Sequence, residues 1–206
     1  MRIVIFSLIA VIVLGCSTEG EIRVINYSEH PVYFNIQNHD YVLPGVSGNS
    51  VEGTAKTISV DTGSGFFFLG GESKSVELHL EGETALLRIM NAEGQWEYFV
   101  NTIQLVEPRQ TTKVRVYPTH AGIIVVNMCE TGTISEVAAS KNNSNFIPVI
   151  DYDIPPGDSA WSRLQASTPE QIVVYVIRIV MDNYEVYEFY PEELFKDQQY
   201  RLPVYF

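Results

Sequence analysis

The sequence is short of cysteine, of positive charge and of long apolar runs, and each shortage closes a class of function. Two cysteines occur in 206 residues, so no disulfide framework can hold the fold and a packed core must do so. Lys and Arg number 13 against 25 Asp and Glu, a net charge of −12. Nucleic acid is held by clustered cations that displace counterions, so it is excluded as a partner. The same deficit disfavours docking on anionic lipid through a basic patch. Past Leu14 no stretch approaches the about 20 apolar residues that a membrane helix needs. The chain also has no Gly-x-Ser-x-Gly, no P-loop and no dinucleotide fingerprint. What it does have is 46% hydrophobic and 12% aromatic residues, too apolar for a disordered chain.

The amino terminus reads as a targeting segment. Arg2 supplies a short positive region, Ile3 to Leu14 is apolar except for Ser7, and Gly15-Cys16 follows. That apolar region is too short to span a bilayer comfortably, so residues 1–15 read as a signal peptide. The run Val13-Leu14-Gly15-Cys16 resembles the lipobox of bacterial lipoproteins. The resemblance implies cleavage before Cys16, a diacylglyceryl group on its sulfur and an acylated new amino terminus; two or three acyl chains anchor stably where one does not. Ser17 stands where the enterobacterial inner-membrane retention signal has aspartate, which favours the outer membrane. A linker, 16–19, then leads into the first strand. Cys129 is left as the second cysteine, with no neighbouring His or Lys to lower its pKa, and reads as a small buried hydrophobe.

Internal repetition organises the remainder. Ile22 to Glu29 (IRVINYSE) aligns with Ile123 to Glu130 (IIVVNMCE), and Gln110 to Tyr117 (QTTKVRVY) aligns with Gln198 to Tyr205 (QQYRLPVY). Between them, Leu86 to Phe99 aligns with Val174 to Tyr187, each an aliphatic run, a turn and an aromatic run. Two tandem domains are expected, 20–118 and 120–206, separated only by Pro118-Thr-His120. The first carries an added segment of about 41–69. Alternation such as Trp96, Tyr98 and Val100 against Glu97, Phe99 and Asn101 has the two-residue period of strands. The fold class is therefore all-β, with two packed sheets per copy.

Strands ending in Val-Val-Asn127, the turn Pro155-Pro-Gly-Asp-Ser159 and the closing β segment resemble the immunoglobulin-like sandwiches repeated in bacterial envelope proteins. The resemblance implies two tandem immunoglobulin-like β-sandwich domains in an envelope setting, and no activity.

Few residues suggest chemistry. Asp61-Thr-Gly-Ser64 resembles the loop of aspartic proteases, but that chemistry needs a second aspartate to share a proton, and no second Asp-Thr/Ser-Gly run exists. The run is also a polar turn composition. His30, His39, His79 and His120 lack zinc spacing, and the carboxylates Asp151/Asp153 and Glu192/Glu193 lack the alternating ligands of a calcium loop. No catalytic residue, metal or cofactor is assigned. The aromatics point to contact instead: Phe66, Phe67 and Phe68, together with Phe99, Tyr187 and Phe189, lie on strand faces that cannot all be core. These six form the expected partner surface, with packing inside the sandwiches as the competing reading. The sequence thus describes a non-catalytic, membrane-anchored envelope lipoprotein acting as a binding or scaffold module, with a protein or glycan as the expected partner. The alternatives are an accessory subunit of a secretion, fimbrial or surface-protease assembly, and a hydrolase whose site forms only on folding.

Overall fold

The computed structural model describes residues 16–47, 52–65, 71–191 and 193–205. The signal peptide and Phe66 to Phe68 lie outside these residues. The chain is all-β and divides into two compact units. The first runs up to Glu81 and again over Leu86–Tyr117; the second comprises Gly82–Ala85 and Pro118–Phe206.

The first unit holds β1 (Cys16–Asn26), β2 (Val32–Ile36), β3 (His39–Leu43), β4 (Thr54–Gly65), β5 (Lys74–Glu81), β6 (Ala85–Met90), β7 (Trp96–Phe99), β8 (Asn101–Val106) and β9 (Thr111–Pro118). One sheet has the order β4-β1-β9-β6-β7 and the other β3-β2-β5-β8. Strand alternation decides what each sheet buries. Ile22, Val24, Val60, Val114 and Leu87 face inward from the first sheet, and Val32, Phe34, Leu78, Leu80 and Val106 from the second.

The second unit holds β10 (Ala121–Asn127), β11 (Ile134–Lys141), β12 (Ile147–Ile150), β13 (Ser159–Leu164), β14 (Tyr175–Met181), β15 (Val186–Phe189) and β16 (Gln199–Val204). Its sheets have the orders β13-β10-β16 and β12-β11-β14-β15. Ile123, Val125, Ile134, Val137, Ile177, Ile179 and Val204 lie in one apolar core.

Apart from β6 and β7, the strands of the first unit repeat the topology of the second. In each, the first strand pairs parallel with the last, β1 with β9 and β10 with β16, and antiparallel with the strand that follows the turn, β4 or β13. The register repeats as well: Glu21 N donates to Gln110 O and Gly122 N to Gln198 O, while Tyr27 N donates to Val116 O and Met128 N to Val204 O.

Two sequence expectations change here. Residues 41–69 contain the end of β3 and all of β4; β4 sits beside β1 as β13 sits beside β10, so this stretch is part of the common framework and not an addition. The added element is the β6–β7 hairpin, which joins the sheet of β9 and has no counterpart in the second unit. The partner of the β14–β15 hairpin is accordingly the β5–β8 pair and not Leu86–Phe99. Local pattern could not separate them, because both are aliphatic strands followed by aromatic ones, and membership is decided by long-range pairing.

A buried asparagine ends the first strand of each unit. Asn26 Nδ2 donates to His30 O at 2.9 Å and Pro44 O at 3.1 Å, and its Oδ1 accepts from Ser28 N at 2.9 Å. Asn127 Nδ2 donates to Gly132 O at 3.0 Å and Ile154 O at 2.9 Å, and its Oδ1 accepts from Cys129 N at 3.1 Å. Each side chain thus ties the backbone of two loops to the end of the first strand. Gly45 is required beside the first of these loops, since a Cβ there would collide with the Glu29 backbone.

Candidate functional site

The outward face of the β3-β2-β5-β8 sheet concentrates groups able to make contacts. Inward residues Val32, Phe34 and Ile36 leave Tyr33 and Asn35 facing out. Register then places Asp40 opposite Asn35, Asn35 opposite His79, and His79 opposite Asn101, a single polar row across four strands. Asn35 Nδ2 donates to Asp40 Oδ1 at 2.7 Å, and the His79 ring donates from Nδ1 to Asn101 Oδ1. His79 Nε2 stands 3.7 Å from Glu81 Oε1.

Apolar side chains flank this row. Val42 and Tyr33 lie in register on one side, while Ile103, opposite Glu77, and Leu105, opposite Ser75, lie on the other. Tyr33 is 54% exposed, Val42 50%, Ile103 64% and Leu105 53%, too much apolar surface in one place for scattered exposure. The face is indented. One cleft of about 430 Å³ is lined by Tyr33, Asn35, Asp40, Val42, His79 and Glu81. A second, of about 520 Å³, is lined by Glu77, His79, Asn101 and Ile103. The outward positions of these rows carry three carboxylates, Asp40, Glu77 and Glu81, and no Lys or Arg; Lys74, opposite Val106, falls on the alternate set.

The opposite sheet of the same unit presents a different feature. Tyr27 stacks on Tyr117 with ring centroids 4.6 Å apart and planes 18° from parallel. The Arg88 guanidinium lies 4.5 Å from the Tyr117 centroid and 4.1 Å from that of Trp96. A planar cation between two rings suits arginine and not lysine. This stack ties the β6–β7 hairpin to β9.

The residues singled out from sequence are dispersed. Cys16 opens β1, its backbone opposite Gly65. Phe99 lies opposite the fully buried Leu87, and so on the core side of edge strand β7. Tyr187 and Phe189 lie opposite Ile179 and Ile177 and pack against the core of the second unit. Tyr187 and Phe189 thus cover their core laterally, whereas Phe99 is 37% exposed. Edge strands leave inward aromatics half exposed because no further strand shields them.

Asp61-Thr62-Gly63 forms no loop of its own but continues β4. Asp61 Oδ1 accepts from Gly63 N at 2.8 Å, and Thr62 Oγ1 donates to Thr18 O at 2.6 Å. Cys129 is buried, with Sγ 3.6 Å from Val204 O. Among the described residues no group of three His, Cys, Asp or Glu side chains could hold a metal. His39 and Asp40, neighbours in sequence, fall on opposite faces of β3, and Asp40 meets His79 through Asn35 instead. The polar row was missed because its members are far apart in the chain. The alternation in Lys74 to Glu81 (KSVELHLE), which exposes His79 beside Glu77 and Glu81, was the available signal.

No family model matches the chain, and no curated protein matches it. Solved structures that align with the chain include a candidate cell adhesion protein from Bacteroides ovatus, 13% identical over 93% of each chain, TM-score 0.33. They also include the major pilin of Streptococcus pyogenes, 7% identical over 92% of this chain and 98% of that one, TM-score 0.29. The TIE protein of Bacillus anthracis is 8% identical over 92% of this chain, TM-score 0.28, and the present chain spans 33% of its length.

Proposed function

We propose that the protein is a non-catalytic lipoprotein of the bacterial envelope, anchored through Cys16 in the outer membrane, whose first unit binds a partner through the outward face of the β3-β2-β5-β8 sheet. The observation that carries this reading is the grouping on that face of Tyr33, Val42, Ile103 and Leu105 around a preorganised polar row. Interfaces combine exposed aromatic and aliphatic groups with fixed polar ones in this way. The one motif resembling a catalytic loop supports the same reading, since its aspartate is engaged by a backbone N–H and continues a strand.

The test is recovery of bound material from detergent-solubilised membranes. Ile103→Lys should abolish the association, whereas Tyr184→Lys on the second unit should leave it intact. Cys16→Ser should release the protein from membranes and abolish labelling by palmitate. Equal recovery with Ile103→Lys, or turnover of any ester, peptide or glycoside by the purified protein, would overturn the reading. Recovery of one stoichiometric envelope protein with the wild type would identify the chain as an accessory subunit.

A further inference from the structure

We propose that the ligand of this face is a neutral oligosaccharide, seated along the row from Asp40 to Asn101 with a sugar ring stacked on Tyr33; the inference rests on the binding-module reading. Charge is the first consideration. Asp40, Glu77 and Glu81 face the clefts without a cation at the outward positions of the same rows, which repels phosphate, sulfate and uronate. The ligand must be neutral or basic.

Shape and donor chemistry separate those two. A basic peptide binds by burying anchor side chains in desolvated pockets, but these clefts are open troughs on a sheet surface, in which carboxylate, carboxamide and imidazole groups stand among apolar side chains such as Tyr33, Val42 and Ile103. Sugar hydroxyls both donate and accept. Carboxylates accept from them, and amides and a neutral imidazole serve both roles. The polar groups are already held in place, Asn35 by Asp40 and His79 by Asn101, so little side-chain freedom is lost on binding. The Tyr33 ring, half exposed at the edge of the same cleft, offers an apolar face with a polar tip. It matches the C–H face of a pyranose. Both clefts share His79, so the site is continuous across four strands, about 14 Å at the usual strand spacing. That length accommodates several linked sugars in place of one.

The test uses the full chain purified in detergent, with maltotriose, cellotriose, mannotriose and chitotriose as neutral probes, trigalacturonic acid as an anionic probe and a lysine decapeptide as a basic one. Calorimetric binding of at least one neutral trisaccharide is expected, unchanged in 0.5 M salt (about a fourfold shorter screening length than at low salt). Tyr33→Ala should weaken it by about tenfold, the scale of one lost ring contact. Asp40→Asn, which keeps the oxygen that Asn35 bonds, should weaken it while leaving the thermal midpoint unchanged. Failure of all four neutral probes, or binding of the decapeptide alone and only at low salt, would overturn the inference. In the latter case Ile103→Lys would still abolish recovery of the natural partner, and the binding-module reading would survive without the glycan.

Discussion

Asn26 and Asn127, each the last residue of its unit's first strand, make the same three hydrogen bonds: one accepted from the N–H two residues on, and two donated to loop carbonyls. Repetition of the pattern at these sites makes it a structural signature of the shared topology. Asn127→Ala should leave the Gly132 carbonyl and the Cys129 N–H without this partner, while the Ile154 carbonyl keeps its bond from Ile134 N. Loss is expected at about 1–3 kcal/mol for each group left unsatisfied. Asn127→Asp, which keeps the acceptor but removes both donors and adds a buried charge, should be worse than Asn127→Ala. Urea denaturation of the variants checks the order.

The Arg88 stack should be sensitive to shape more than to charge. Arg88→Lys keeps the cation and loses the plane that fits between Trp96 and Tyr117. It should cost about 1 kcal/mol and raise hydrogen exchange in the β6–β7 hairpin, with the β3-β2-β5-β8 sheet unaffected. Equal protection of the hairpin in this variant would show that the stack is ornamental.

Stability should decline in mild acid through His120. Burial, and then the charge of Arg163, hold this imidazole below its ordinary value of 6.5. The folded state therefore takes up the proton less readily than the unfolded chain. The stability is whole above about 6.5, the unfolded value, and falls as the pH drops below it. His120→Gln should flatten that slope. A separate loss at lower pH should follow from Glu188, whose carboxyl is held below its ordinary range by Arg178. Arg178→Gln should remove it. Urea midpoints measured from pH 8 to pH 3 separate the two windows.

Asp61→Asn should be nearly silent, since its Oδ1 can still accept from Gly63 N. Thr62→Val should not be, because it removes the buried hydroxyl that bonds Thr18 O, at about 1–3 kcal/mol. No pepstatin-sensitive cleavage at acid pH is expected from either protein. Acid proteolysis lost in Asp61→Asn would reverse the assignment.

The β class was legible because alternation is local: Val32, Phe34 and Ile36 against Tyr33 and Asn35 reads the same in sequence and in space. The repeated ends QTTKVRVY and QQYRLPVY mark equivalent strands for the same reason, and they occupy the same register against β1 and β10. Hairpin identity was not legible. Leu86–Phe99 and Val174–Tyr187 share a pattern, yet one joins the sheet of the closing strand and the other the opposite sheet. The site was the least legible part. Asn35, Asp40, His79 and Asn101 become a row only through three strand registers, whereas the adjacent pair His39-Asp40, conspicuous in sequence, is divided between two faces by the pleat.

The parallel pairing of first and last strands also governs how each unit would carry tension. In the first unit β1 and β9 run side by side in the same direction over Glu21 to Asn26 and Thr111 to Val116, and β10 and β16 do so over Gly122 to Asn127 and Gln199 to Val204. The chain therefore enters a unit at one end of the pair and leaves at the other. Pulling on the two ends slides the strands lengthwise and loads all the rungs of the ladder together, where a hairpin pulled at its open end would unzip one rung at a time.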